Sequence, residues 1–330
     1  MNVLVTGGLG VNGAWVTRQL LEEGHKPVVY ENRLDTLLVA DIVDKIEIVM
    51  GDIMDLPALV RTLKKYKIQR ICHLAALMGK SVQANPWFGF QVNAVGTLNV
   101  LEAARIMDVE RIVFASSIST SAPFTREHGY PTYKPINENY PKHPISRRNG
   151  VYGTAKLASE LMCLHYCQNY GLDYVILRFC AIYGIGKKVR HGPVAIHSKI
   201  IENAMVGKPT IIPQGGDEKT DIVYVRDVAN STVLACFAQN LEHHDFNIGT
   251  GQGYKLGDVA NAIRKIHPEA VIEIGPGVDY LGFGSSEYCV FDISRARQEL
   301  TYSPRFTLEN GVKDYVEMMK RLNIDPTYSS

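Results

Sequence analysis

Tyr152 and Lys156 stand four residues apart in the stretch YGTAK, a spacing that puts both side chains on one face of a helix. A phenol with an ordinary pKa of about 10 is a poor base near neutrality. An ammonium held beside it favours the phenolate and lowers that value. Ser117 closes a serine-rich strand end upstream and can hold a substrate oxygen in line with the phenol. These groups suit one reaction, in which the phenolate takes the proton of a secondary alcohol while hydride leaves the same carbon. Taken alone, a Tyr-x-x-x-Lys pair is common on amphipathic helices, so its context decides. Ser116 competes with Ser117 for the hydroxyl role, and Ser119, Thr120 and Ser121 also read as ordinary loop polarity.

A departing hydride needs an acceptor, and the chain opens on a turn suited to hold one. Thr6-Gly7-Gly8-Leu9-Gly10-Val11-Asn12-Gly13 follows a strand and opens a helix, the context that gives a glycine pattern meaning. Gly7 and Gly10 let the backbone approach a pyrophosphate, and Gly13 permits close helix–sheet packing. The helix N-terminus offers its free N–H groups to the phosphates, so Leu9, Val11 and Asn12 are expected at the same cofactor. Glu31 ends the second strand, where a carboxylate accepts hydrogen bonds from both adenosine ribose hydroxyls and repels a 2′-phosphate. That favours NAD over NADP. Asn32 follows it, while Arg33 could pair with a 2′-phosphate or lie solvated. Asp52 can meet the adenine amine with Ile53 against the ring, or simply cap the helix that begins near Leu56.

These groups need a frame. The first half alternates short apolar runs with longer amphipathic ones: Val3 to Thr6, then Trp15 to Glu23; Pro27 to Tyr30; Ile46 to Met50, then Leu56 to Lys65; Ile71 to Leu74. A helix from about Phe88 to Met107, a strand from Arg111 to Ser116, a helix from Tyr152 to Tyr170 and a strand from Tyr174 to Leu177 continue the series. Repeated units of this kind predict an α/β fold, a Rossmann-type doubly wound parallel sheet with helices on both faces. Ligands in such sheets bind at the C-terminal strand edges, where Ser117 falls. Ser119 to Gly150, with five prolines, reads as a long loop beside the site and a possible cover for the substrate. Beyond Arg178 the pattern loosens into helices near Val194 to Met205, Asp227 to Phe237, Leu256 to Ile266 and Leu308 to Leu322. Short strands fall at Thr210 to Ile212, Asp221 to Val225, Phe246 to Ile248 and Val271 to Ile274. The expected division is a cofactor domain over 1–180, with about 221–250 returning to it, and a smaller, interwoven C-terminal substrate lobe over 181–330.

Composition narrows the partners. Lys and Arg total 35 against 34 Asp and Glu, for a net charge of +1, so no strong field draws the chain to nucleic acid or to an acidic membrane. A small molecule is the expected substrate. The N-terminus enters a strand at once and no apolar run approaches the length that crosses a bilayer, which points to a cytoplasmic protein. Six cysteines lie scattered without metal-ligand spacing and read as reduced packing residues; no metal is expected.

Taken together, the motifs make the chain resemble the extended short-chain dehydrogenase/reductase superfamily, in particular its NAD-dependent nucleotide-sugar epimerases and dehydratases. They run in order: TGGLGVNG from Thr6, HLAA from His73, VNAVGTLNVLEAA from Val92, FASS from Phe114, YGTAK from Tyr152, LRFCAIYG from Leu177, VYVRDVA from Val223 and FNIGTG from Phe246. The resemblance implies NAD(H), a catalytic trio of Ser117, Tyr152 and Lys156, and Asn93 in a supporting hydrogen-bond network. It also implies a homodimer through a four-helix bundle built from the helices carrying Asn93 to Met107 and Tyr152 to Tyr170. Leu74, Ala75, Ala76, Ser116 and Phe179 complete the expected cofactor contacts. Met78, Ser117, Ser119, Arg147, Arg148, Tyr152 and Ala181 form the expected substrate contacts.

The departures bear on the substrate. Ile118 and Ser119 follow Ser117 where dehydratases of this group place an Asp-Glu pair, and without an acid to protonate the leaving hydroxyl, elimination of water is disfavoured. Ala181 and Thr220 stand where nucleotide-sugar enzymes carry Asn and Arg, and no arginine lies near Gly282. A diphosphate wants charge-assisted donors. Lys187, Lys188, Arg190 or Lys219 could substitute, or form a solvated face. The first expectation is therefore an NAD-dependent dehydrogenase acting on a small sugar-derived or hydroxy-acid-like alcohol. The alternative is a sugar or nucleotide-sugar epimerase that works through a transient ketone.

Overall fold

Short strands alternate with longer helices because each strand's apolar run must be covered by an amphipathic partner. The computed structural model describes residues 1–143, 150–282 and 288–326. Its first half runs β1 (Asn2–Thr6), α1 (Val11–Glu22), β2 (Lys26–Glu31), β3 (Glu47–Met50), α2 (Leu56–Tyr66), β4 (Arg70–His73), α3 (Lys80–Ala84), α4 (Pro86–Phe90), α5 (Gly96–Ile106) and β5 (Arg111–Ser117). The long α6 (Gly150–Tyr170), β6 (Asp173–Phe179), β7 (Ala181–Tyr183), α7 (Lys187–His191), α8 (Ile196–Met205), β8 (Thr210–Ile212), β9 (Thr220–Tyr224) and α9 (Val225–Phe237) follow. The chain closes with β10 (Asp245–Ile248), β11 (Gly253–Tyr254), α10 (Leu256–Arg264), β12 (Ile272–Ile274), α11 (Ser294–Glu299) and α12 (Leu308–Arg321).

The main sheet has seven parallel strands in the order β10-β6-β5-β4-β1-β2-β3. The chain leaves β1 in one direction toward β3 and then restarts at β4 on the other side. The strand order therefore reverses between β1 and β4, which opens a crevice at their C-terminal ends. Local signals set the helices. Asp55 caps α2 by accepting from the Ala58 N–H at 2.9 Å, and the helix stops at left-handed Lys67. Asn85 caps α4 ahead of Pro86, accepting from the Phe88 N–H at 3.1 Å. The sheet separates two apolar cores. Leu4, Phe114 and Ile176 pack with Leu59, Leu101 and Cys163 on one side, and Val5, Val113 and Val175 pack with Val16, Val228 and Ala235 on the other.

The expected helix from Phe88 to Met107 is a chain of α4, a π-helical segment Gln91–Val95 and α5. β10 joins the main sheet beside β6, whereas β9 lies in a three-stranded sheet ordered β11-β9-β7; β12 and β8 pair separately. Over residues 120–143 the long loop lies away from the cleft lining. Ile136 donates to Val290 O at 2.9 Å and accepts from the Asp292 N–H at 2.8 Å, Tyr133 accepts from the Lys219 N–H at 2.9 Å, and buried Glu138 accepts from the Asn247 N–H at 2.8 Å. Those bonds dock residues 120–143 on the C-terminal half. All six cysteines are free, five of them buried. Among the described residues no helix is long and apolar enough to cross a membrane.

Candidate active site

The glycine-rich turn leaves β1 and turns into α1 over a cleft of about 740 Å³. Gly7 has φ +69, and a β-carbon on Gly13 would stand 2.0 Å from the Gly7 carbonyl oxygen, so neither position admits a side chain. Among the described residues the buried Asn12 Oδ1 has no hydrogen-bond partner, and a buried polar atom of that kind calls for a ligand or a solvent molecule. Gly10, Val11, Asn32, Asp52 and Ile53 line the same wall. Burial pushes the Glu31 carboxyl above its usual range, against the opposing pull of the Asn32, Leu9 and Arg33 backbone N–H groups and of Arg190. These residues fit a dinucleotide: a tight anion-accepting turn at the helix N-terminus, then a carboxylate at the end of the second strand.

Leu74, Ala75, Ala76 and Met78 continue the lining beyond β4, Ser116 and Ser117 at the end of β5, and Ser119 just after it. Asn93, on the π-helical segment, stands behind them rather than in the cleft lining. Its amide donates to Leu77 O at 2.9 Å and accepts from the Leu77 N–H at 2.7 Å, fixing the backbone before Met78. Thr97 and Ser159 both donate to the Asn93 carbonyl, at 2.7 and 3.2 Å. Beneath them His73 bridges Thr6 at 2.6 Å and Thr97 at 3.0 Å. Burial first, and Lys156 second, hold its imidazole down to about 3, so the ring is neutral.

Tyr152 and Lys156 face the cleft from the first turns of α6. Burial pushes the Tyr152 phenol up to about 12, against a smaller lowering from nearby Ser117, whose own hydroxyl donates to Ser119 Oγ at 3.2 Å. The ammonium does not reach the phenol oxygen: Lys156 Nζ donates to Ala115 O at 2.7 Å and stands 5.8 Å from the centre of the Tyr152 ring. Burial holds Lys156 down to about 8, opposed by Glu160. The expected lowering of the tyrosine by its lysine is therefore absent from this arrangement. Ser116 turns away from the site and donates to Glu160 at 2.5 Å, in a buried network where Arg178 grips the same carboxylate with Nε at 2.9 Å and Nη2 at 2.7 Å. Of the two serines, Ser117 faces the phenol.

Phe179 and Ala181, at the end of β6 and the start of β7, close the opposite wall. Leu9 has its side chain in the core and Arg33 lies exposed, so neither side chain reaches the lining. Arg147 and Arg148 fall outside the described residues. Sequence reasoning did not find His191, Tyr280 or Tyr288, which line the cleft from the second half; Tyr280 and Tyr288 stack with ring centres 5.1 Å apart. No motif marks these residues, and only the fold brings them to the sheet edge.

The model of the NAD dependent epimerase/dehydratase family matches residues 3–249. A putative UDP-glucose 4-epimerase of Methanocaldococcus jannaschii is 30% identical over 325 residues, covering 97% of this chain and 99% of that protein. The crystal structure of a Thermotoga maritima UDP-glucose 4-epimerase with UDP-glucose superposes with a TM-score of 0.81 at 26% identity, covering 97% of this chain and 99% of that one. The Thermus thermophilus UDP-glucose 4-epimerase in complex with NAD gives 0.80 at 28% identity, with the same coverage.

Proposed function

The chain belongs to the NAD-dependent epimerase/dehydratase family, and from that premise we propose that it is a sugar 4-epimerase acting on a UDP-linked hexose. The observation that carries this reading is end-to-end similarity to UDP-glucose 4-epimerases, joined to a Ser117–Tyr152 pair at the sheet edge. It displaces net alcohol oxidation as the first expectation. Gly7, Gly10, Asn12 and Gly13 hold the NAD pyrophosphate, Glu31 the adenosine ribose, and Asp52 with Ile53 the adenine. NAD held by these residues would supply the acceptor and donor of hydride.

The chain's own residues handle the proton. Ser117 fixes the substrate oxygen beside the phenol. Tyr152 takes that oxygen's proton as the ketone forms and gives it back as the alcohol is restored. Because a phenol held near 12 is a reluctant base, the Lys156 ammonium turns from Ala115 O toward the phenol when the site fills, which favours the phenolate. No carboxylic acid follows Ser117 to expel a hydroxyl, so water is not eliminated.

Incubation of the protein with UDP-galactose and NAD, followed by proton NMR, tests the reading. Interconversion with UDP-glucose to a fixed ratio, without build-up of reduced nicotinamide absorbance, is the expected result. Accumulated reduced nicotinamide in proportion to oxidised sugar would replace it with the dehydrogenase.

A further inference from the structure

We propose that Lys187 is the cationic anchor for a phosphate of the diphosphate ligands that enter this cleft. The inference rests on the reading of the cleft as a site for NAD and a nucleotide sugar. Four basic residues of the second half could neutralise a diphosphate, and their surroundings separate them. Lys188 donates to Pro326 O at 2.7 Å and lies 3.5 Å from Glu202. Arg190 pairs with Asp35 at 2.6 Å and donates to Leu9 O at 2.7 Å. Lys219 is exposed and lies away from the lining. Lys187 alone of the four lines the cleft.

Lys187 is 5% exposed, and its polar contact among the described residues is His191 Nδ1 at 3.3 Å. No carboxylate among those residues pairs with it. A buried ammonium without a counter-charge is destabilised and tends to shed its proton. Burial accordingly holds Lys187 down to about 7 and His191 well below its usual value. An anion entering the cleft reverses that balance. The helix is also in the right place: Gly186, which opens α7, packs against Val11 and Leu38, and Arg190 fastens the same helix to the Leu9 carbonyl. Lys187 thus stands on an element clamped to the turn that accepts phosphates. It offers a charged donor where Ala181 and Thr220 offer none.

The same chemistry can come from the NAD pyrophosphate or from the nucleotide-sugar diphosphate, and binding measurements separate the two. Lys187→Met and Lys187→Arg are titrated calorimetrically with NAD, starting from nucleotide-free protein, and with UDP after NAD loading. The expected result is a loss of at least about tenfold in one of the two affinities for Lys187→Met. Lys187→Arg should restore most of it, and the melting temperature of ligand-free Lys187→Met should hold or rise. The affected titrant names the source. Both affinities staying within about twofold of the unaltered protein would overturn the proposal, as would a lowered melting temperature with unchanged binding. If Lys187→Met fails to fold, acetic anhydride labelling of the unaltered protein decides: slower acetylation of Lys187 with NAD or UDP bound supports the anchor, and equal rates with either refute it. Turnover enters none of these readings, so failure here and failure of the epimerase reading are distinguishable.

Discussion

Tyr152 is held neutral by its surroundings, at about 12, while Lys156 sits near 8 with its ammonium on the Ala115 carbonyl. In the proposed filled site, with the ammonium turned to the phenol, the two groups would titrate as a pair. The reactive form, a phenolate beside an ammonium, has lost one proton relative to the fully protonated pair, as has the phenol beside a neutral amine. Raising the pH through about 8 removes that proton, and the ratio of the two singly deprotonated forms then stays constant until the second proton leaves. The kcat/KM for the sugar should therefore climb toward pH 8 and level above it; a rate that falls steadily from neutrality to that point would refute the pairing. Lys156→Met removes the ammonium and should push the climb toward the phenol's own value. Tyr152→Phe should lower turnover by roughly 10² to 10⁴ with NAD affinity unchanged, since only the proton carrier is lost. Near-normal turnover in that variant would exclude Tyr152 as the acid–base group. The glycines, Glu31 and Ser117 were legible because each sits at or just beyond a strand end, which period and turn chemistry reveal, and Tyr152 and Lys156 because a spacing of four shares one helix face. Lys156's choice of partner was not, since sequence spacing fixes a helix face but not the direction of a four-carbon stem.

At the scale of elements, α6 is tied to the sheet by charge as well as by packing. Glu160 on α6 takes Arg178 of β6, Arg178 Nη1 reaches Asp245 of β10 at 2.7 Å, and Arg295 of α11 meets that aspartate at 2.5 Å. The Glu160 and Arg178 side chains are 5% and 7% exposed. Removing one member of such a pair leaves the other charge buried and costs about 3–5 kcal/mol. Glu160→Ala should accordingly lower urea stability by that amount, and Ser116, which donates to the same carboxylate, loses its partner too. A change below about 1 kcal/mol would show that the network carries little of the fold. The alternation of apolar runs exposed the parallel sheet in the sequence, but not this tie, which joins residues far apart in the chain. The π-helical segment at Gln91–Val95 escaped for a different reason: its composition is that of an α-helix, and only the ladder geometry differs. β7 and β11 span three and two residues, too few for a period to show. α7 was hidden because GKKVRHG reads as a solvated basic run until burial shows Lys187 inside.

At the scale of the whole molecule, one helical face carries apolar side chains that are exposed among the described residues. Leu157, Leu161 and Leu164 follow each other at spacings of four and three along α6, the pattern of a helix seam. Leu161 is 59% exposed and Leu164 40%. Helices α4 and α5 pack against α6 and add exposed Trp87, Phe88 and Ile106. Single exposed apolar side chains mean little, but several on helices packed together point to an interaction surface. A second copy of the chain, set antiparallel so that α5 and α6 form four helices, would cover the group with its own equivalent, as a twofold interface requires. We therefore expect light scattering at micromolar concentration to give about twice the chain mass of 36.7 kDa. Leu161→Glu combined with Leu164→Glu should give the single-chain mass, because two buried carboxylates per protomer would face their own copies across the axis without partners. The monomer should keep its circular dichroism, since neither leucine belongs to the core on either side of the sheet. Both site helices run through this face, Tyr152 and Lys156 on α6 and Asn93 just ahead of α5, so separation should loosen the catalytic turn of α6 and reduce turnover more than it reduces NAD affinity. Single-chain mass for the unaltered protein, or a dimer that survives both glutamates, would place the interface elsewhere or remove it.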